Sequence, residues 1–477
     1  MNPLALVLVP TVLSFGLALR RVREQARLLL VAAAVVGSVL AFSHAMMSSR
    51  ELWLWGYVRL DATSRLFVAL INPIFLGVSW YVAVRLTATP ALHSGFGRFA
   101  GLALTFLGAA NAAVLGNHLI VQWIALEITT LVAAPLIIRP GVVRSRAASW
   151  HYLLFSSVGL GLVLLGFLCL GRGLQAAGHA PSYFIDQLAA LKPTGAGPWG
   201  NLGLSLVLLG LGTKLGLAPM YTWLPDAYDE APPAVSALLG AVQFNAVLVL
   251  LLRVLQVYRP INPSLVTGEL LILGLASMVI SAASIIATWN MKRLIAYAAI
   301  NHAGVIAIGL ALGKGAAYGV LIYVISNAFI KAILFLTAGK IKAHYRTEDT
   351  REISGLIKDL PYSGIFLLVG TLALLGFPPF GSFFGELLIL SALVSFGHLY
   401  VFAAFCVVIT ITFVATGRTF FPMIWGLPKK VHNWPRQTFL AISPKAGFFV
   451  ILVVLGLYIP PALSGLLERV AASLEGP

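Results

Sequence analysis

Lys214 stands inside a long apolar run, GLGTKLGLAPMYTWLPDAYDEAPPAVSALL, that breaks just after it at Gly216-Leu217-Ala218-Pro219. A lysine at the centre of a membrane helix costs about 2.5–3.5 kcal/mol on insertion scales, so it is not there for anchoring. It lies about fourteen residues into its run, roughly 20 Å along a helix, whereas a snorkelling lysine should lie nearer an end. A helix broken at membrane depth is tolerated only where protein or a watery cavity satisfies the freed backbone groups. Together these features point to a polar path that holds and releases protons. Glu127, in NHLIVQWIALEITTL, is the acid expected to partner Lys214: a nearby carboxylate favours an ammonium, and desolvation favours the neutral amine. The other reading of Glu127 is a local pairing with a backbone group or an arginine at the edge of its span.

A second set lies further along. Tyr323, Asn327 and Lys331 fall at i, i+4 and i+8 and share one helix face. They read as a hydrogen-bonded ladder ending on a second titratable lysine, or as a packing stripe with a satisfied lysine. His302, in IAYAAINHAGVIAIG, reads on general grounds as a satisfied core histidine. A place between Lys331 and Lys214 would also let it relay protons. Glu386 follows a second break, GFPPFGSFFGE, which mirrors the first. Corresponding interruptions in two halves of a transporter point to an ion site. His118, His151, Arg253 and Lys292 lie nearer the ends of their spans and rank lower, Lys292-Arg293 being mainly topogenic.

The elements that must position these residues follow from composition. Of 477 residues, 59% are hydrophobic and 10% charged, with mean hydropathy +0.94, which fits an all-α polytopic membrane protein and no soluble domain. At roughly 20 residues per span the chain holds about fourteen, with broken spans near 201–225 and 362–395. The formal charge of +16 does not indicate nucleic acid, because the charges are few and sit in short segments between apolar runs. Twenty-one of the 32 Lys and Arg, from Arg20, Arg21, Arg23 and Arg27 to Lys429, Lys430, Arg436 and Lys445, fall on the odd loops. Eight, including Arg50, Lys192 and Lys314, fall on the other side, and Lys214, Arg253 and Lys331 remain within spans. The positive-inside rule then puts the odd loops in the cytoplasm and both termini outside. Asp226, Asp229 and Glu230 are expected on the cytoplasmic connection after the first break. Cys169 and Cys406 lie in apolar runs and imply neither disulfide nor metal cluster. No phosphate loop, paired-cysteine motif or nucleophile elbow is present. The expected division is three N-terminal helices (1–97), a five-helix repeat (98–256), a second, inverted five-helix repeat (257–421), and a C-terminal loop and last helix (422–477), each repeat with its broken helix in fourth place.

These residues resemble a family: the antiporter-like, proton-translocating membrane subunits of respiratory complex I, multisubunit cation/proton antiporters and membrane-bound hydrogenases. The resemblance covers nearly the whole chain. GTKLGLAPMYTWLPDAYDEAPPAVSALL looks like the family's TKxxxxPxHxWLPDAxxxAPxPVSALL signature, and WIALEITT, KRLIAYAAINHAG, SNAFIKAILFLTAG and GFPPFGSFFGELLIL follow in the family's order. It implies two half-channels joined by a polar axis along the membrane midplane. The family's glutamate falls on Glu127, its broken-helix lysine on Lys214, its central lysine on Lys331 and its exit residue on Glu386. The sequence departs from the family where many members carry a bridging lysine or histidine: Asn245 and Gly240 stand there, and neither titrates. Histidines found in some members at Tyr323 and Asn327 are also missing. WIALEITT, Asn245 and FPPFGSFFGELLIL look most like the F-type subunit of the hydrogenase-4 and formate hydrogenlyase group.

What the resemblance implies is an ion-translocating subunit of a redox-driven complex in the inner (cytoplasmic) membrane, most simply proton pumping. The partners would be other membrane subunits and a peripheral redox module that carries the redox centres, since this chain has no ligands for a cofactor or metal. The alternatives are a subunit of a multisubunit Na+/H+ antiporter, an energising partner of an inorganic-carbon accumulation complex, and a structural scaffold. The cost of Glu127, Lys214, Lys331 and Glu386 argues against the last.

Overall fold

The computed structural model describes residues 2–17, 25–47, 51–88, 95–191, 197–313, 315–428 and 438–474. Of the basic residues that set the expected orientation, Arg20, Arg21, Arg23, Arg50, Lys192, Lys314, Lys429, Lys430 and Arg436 lie outside them.

The helices in chain order are α1 (Ala5–Gly16), α2 (Ala26–Ala45), α3 (Ala62–Ala88), α4 (Phe96–Leu115), α5 (Leu119–Ile137), α6 (Val143–Ala176), α7 (Ile185–Leu191), α8 (Gly197–Leu215) and α9 (Trp223–Glu230). Then come α10 (Pro233–Ala237), a π turn (Leu238–Gln243) and α11 (Phe244–Tyr258), which form one continuous helix. They are followed by α12 (Pro263–Ala287), α13 (Met291–Leu312), α14 (Ala317–Tyr345), α15 (Leu356–Asp359), α16 (Pro361–Leu374), α17 (Gly381–Ser395), α18 (Leu399–Trp425), α19 (Phe439–Leu457) and α20 (Pro461–Leu474). Among the described residues, eleven helices are long and apolar enough to cross a membrane. The count of about fourteen takes Ala5–Gly16 and each broken pair as one span.

Burial sorts these helices. The most apolar stretches of Pro233–Tyr258 and Ala317–Tyr345 are buried throughout, whereas Leu399–Trp425 exposes Val407, Ile411 and Val414. Lys331, 1% exposed, therefore sits in the buried stretch of a central helix, out of reach of any interface to which it could snorkel. Close helix contact depends on glycine: a Cβ at Gly166 of α6 would stand 2.7 Å from the Gly203 carbonyl oxygen of α8. Small residues allow this approach where lipid gives no hydrophobic drive.

Both breaks share one geometry. At the first, Gly216 has φ +83°, its N–H bonds the Thr213 carbonyl, and the Leu217 N–H bonds the Gly212 carbonyl at 2.7 Å. At the second, Gly376 has φ +67°, with Gly376 N–H to Ala373 and Phe377 N–H to Leu372 at 3.0 Å. Each is a Schellman motif, which needs the left-handed residue that glycine supplies. At each break a side chain gives the same carbonyl a second bond: Trp223 Nε1 donates to Thr213, and Ser382 Oγ to Ala373. The freed Ala218 N–H donates to Ser277 Oγ at 2.8 Å.

Several expectations are corrected. Asp226, Asp229 and Glu230 lie within the second half-helix, α9, rather than on a connection, because the turn TWLPDAYDE continues helically to Glu230. Lys445 is not in a loop but buried in α19 (1% exposed) with its ammonium 5.1 Å from the Phe366 ring centroid. The last expected span, 446–466, stops at Leu457, and Pro460-Pro461 starts the separate helix α20, which packs on α14 and α3. Residues 51–60 form a short antiparallel hairpin outside the helices. Just after it, Asp61 meets Arg253 through Nη1 at 2.6 Å and Nη2 at 2.7 Å, and Ser64 accepts a further bond from Nη2. The intramembrane arginine is thus a clamp between the N-terminal helices and α11.

Candidate functional site

In the first half, Lys214 is the penultimate residue of α8, 3% exposed, where the C-terminal end of the half-helix dipole favours a cation. Its Nζ donates to Thr130 Oγ1 of α5 at 2.6 Å and reaches Tyr152 OH of α6 at 3.4 Å. Glu127 is on α5, one turn before Thr130, and its Oε1 accepts from Ser157 Oγ at 2.8 Å, while Oε2 is buried without a hydrogen-bond partner. Glu127 and Lys214 are not in direct ion-pair contact among the described residues. Each bonds a hydroxyl of its own instead, Lys214 that of Thr130 and Glu127 that of Ser157. Tyr152 OH in turn meets Gln243, whose Nε2 also donates to Thr129 Oγ1 at 3.0 Å.

At the centre, Gln243 ends the π turn and Phe244 begins α11. Lys331 Nζ is buried without a hydrogen-bond partner and lies 3.9 Å from the Phe244 ring centroid, a cation–π contact. Its aliphatic stem passes Gly240, whose missing Cβ would stand 3.4 Å from Lys331 Cδ. Asn245 does not bridge the halves: its amide donates back to the Ala241 carbonyl at 2.5 Å, and its Oδ1 is unpartnered.

In the second half, His302 Nδ1 and Tyr323 OH are hydrogen-bonded. Both line a cavity with Asn301, Thr412, Thr416 and Glu386, its free space of about 10 Å³ for a water's centre enough for roughly one water. His302 therefore stands on the Glu386 side of Lys331, and the place between the two lysines is taken by the π turn. The side chain of Asn327 has no hydrogen-bond partner on either polar atom, so Tyr323, Asn327 and Lys331 do not form a direct ladder. Tyr323 OH turns to His302 and Lys331 Nζ to the Phe244 ring, which leaves Asn327 alone between them, and buried groups of this kind call for ordered water. Glu386 is near the start of α17 and turns back toward the break, where a Cβ at Gly376 would stand 2.5 Å from its Oε2. The lysine at a half-helix C-terminus and the acid near a half-helix N-terminus each suit the local dipole.

His118 packs among Tyr57, Tyr183 and Phe184, away from this row. His151 lies 3.5 Å from Asp226, and buried Lys292 donates to the Asp229 and Ala231 carbonyls, capping α9. The residues that sequence reasoning missed are Thr129, Thr130, Tyr152, Ser157 and Gln243. Gln243 had a signal, being an amide in the apolar run AVQFNAV, subject to the same cost argument as Lys214. The threonines had none, because a helical threonine can satisfy itself on a preceding carbonyl.

Two broken helices, one in each half, with a buried row of ionisable and polar side chains define an ion-translocating type of polytopic membrane protein. The model of the family described as "NADH:quinone oxidoreductase/Mrp antiporter, TM" matches residues 116–413, and the chain belongs to that family. It is thus a multi-pass integral membrane protein. It is 32% identical over 365 residues to a hydrogenase-4 component F homolog of Methylacidiphilum infernorum, covering 74% of each chain. It is 30% identical over 288 residues to an NADH-quinone oxidoreductase subunit N of Chlorobium chlorochromatii, covering 56% of this chain and 53% of the relative, about half its length. Its fold matches a chain of the archaeal membrane-bound sulfane sulfur reductase with TM-score 0.88 at 21% identity, covering 99% of this chain and 98% of the other.

Proposed function

We propose that the chain is an antiporter-like, proton-translocating membrane subunit of a redox-driven complex of the complex I or membrane-bound hydrogenase type. The observation that carries the reading is the buried row that runs from Glu127 and Lys214 through the π turn to Lys331, His302, Tyr323 and Glu386, built across two matched helix breaks. The shared Schellman geometry supports the division into inverted repeats at 98–256 and 257–421. Lys214 holds a proton while Thr130 and Tyr152 accept from its ammonium. A shift of the Glu127 carboxylate between Ser157 and the lysine changes how strongly that charged form is favoured. Lys331 receives the proton in the second half, and Glu386 passes it on through the cavity beside His302.

Its partners are other membrane subunits, as the subunit and component names of its relatives suggest, and a peripheral redox module; among those relatives it is read as an F-type hydrogenase-4 subunit. The complex lies in the cytoplasmic membrane with both termini outside. The test is to isolate the complex through a tag on this chain, identify its subunits, and reconstitute it into liposomes. Lys214→Ala and Glu127→Gln abolish proton flux while leaving the complex assembled; undiminished flux in either variant refutes the reading. The family's Mrp members favour a second reading, Na+/H+ exchange, and proton flux that requires a sodium gradient selects it.

A further inference from the structure

With Asn245 at the bridging position, no lysine, histidine or acid stands between Lys214 and Lys331 among the described residues, so something else must connect them. We infer that Gln243 is the positioning residue that joins the two halves, reporting the charge state of Lys214 to the π turn on which Lys331 rests. The inference depends on the ion-translocating reading above.

Gln243 is 3% exposed in the buried stretch of its helix, and both ends of its amide are within reach of one phenol. Tyr152 OH lies 3.0 Å from Oε1 and 2.8 Å from Nε2, and 3.4 Å from Lys214 Nζ. These contacts support two hydrogen-bond states. With Lys214 charged, its ammonium donates to the phenol oxygen, and the phenol proton is directed to Oε1. With Lys214 neutral, the phenol can donate to the amine, and its oxygen then accepts from Nε2. The amide cannot titrate, so no proton crosses it; it changes only which of its ends engages the phenol. Thr129 Oγ1, 3.0 Å from Nε2, gives that donor a second acceptor when the phenol does not take it.

Gln243 is also the last residue of the π turn, and the next residue, Phe244, carries the ring beneath Lys331. A π turn is an i→i+5 insertion in an α-helix, often found at functional sites. Here adjacent residues face opposite halves of the molecule. Rotating Gln243 toward or away from Tyr152 shifts Phe244 and Gly240 against Lys331. The titratable and charged groups facing this junction are Tyr152 and Lys214, with Glu127 behind Ser157, on one side, and Lys331 and Tyr228 on the other.

The complex purified through this chain is reconstituted, and proton flux driven by a potassium diffusion potential is followed with an entrapped pH dye from pH 6 to 9. The chain carries Lys214→Ala, Gln243→Leu, Gln243→Glu or Tyr152→Phe. Gln243→Leu and Tyr152→Phe lower the flux about tenfold, as losing one buried hydrogen-bond link implies, and flatten its pH profile. Gln243→Glu, which keeps an acceptor for the phenol, restores flux with a shifted profile. If Lys214→Ala abolishes flux while Gln243→Leu keeps the wild-type profile, the inference fails and the functional reading stands. If Gln243→Leu does not assemble, Tyr152→Phe decides, since it removes the phenol that joins Lys214 to Gln243 without touching the helix of the π turn; an unmoved profile there overturns the inference. Undiminished flux in Lys214→Ala refutes the functional reading itself.

Discussion

The clamp between Arg253 and Asp61 is the sharpest test of how this protein tolerates charge at its core. Arg253 is fully buried and Asp61 is 12% exposed, and the two share bonds of 2.6 and 2.7 Å. Asp61 has a second cation, Arg59, at 2.9 Å, whereas Arg253 has no second acid among the described residues. The two ends of the pair are therefore unequal. Asp61→Asn strands a desolvated guanidinium, which costs about 3–5 kcal/mol. Arg253→Met removes the buried charge, fills similar space, and leaves Asp61 with Arg59 and some water, so its cost is about 1–2 kcal/mol. The difference, about 2–3 kcal/mol, is roughly 30- to 150-fold in the folded-to-unfolded ratio.

Burial alone would raise the Asp61 carboxyl, but the adjacent Arg253 guanidinium prevails and holds it well below the usual carboxylate range. A depressed acid contributes stability that is complete above its unfolded value, near pH 4, and is lost only as pH falls through the folded value. The penalty of Asp61→Asn is therefore constant from pH 5 to pH 9. The assay is thermal unfolding of the detergent-solubilised complex, with the midpoint of Asp61→Asn below that of Arg253→Met at every pH in that window. Equal midpoints, or the reverse order, would falsify the argument that an orphaned buried cation, rather than the lost contact, sets the cost.

Two further outcomes follow from single side chains. Gly376→Ala places a methyl group on a left-handed residue and 2.5 Å from Glu386 Oε2, so proton flux falls, while the equivalent change at Gly268, where no atom lies within 4 Å, leaves flux intact. Lys445→Met removes a buried cation that makes no hydrogen bond or ion pair among the described residues. The unfolding midpoint rises, by the order of 1–3 kcal/mol in stability, with flux unchanged; a fall in flux would instead make Lys445 part of the ion path.

Much of this protein was legible from residue type and position along the chain. A lysine deep in an apolar run and paired Gly-Pro interruptions have membrane-depth costs that do not depend on the rest of the fold. Lys214, Lys331, Glu127 and Glu386 could therefore be named before any contact was known, as could the all-helical membrane class. Tertiary structure alone decided how they are joined. Hydroxyl and amide partners such as Thr130, Ser157 and Gln243 carry no periodic or charge signal, because a polar group that can satisfy itself locally is cheap in any helix until a neighbour packs against it. The π turn depends on the hydrogen-bond ladder of one buried helix, and the separation of Glu127 from Lys214 depends on how α5, α6 and α8 meet. Sequence spacing places residues on helix faces; only packing between helices sets which faces are close enough to exchange a proton.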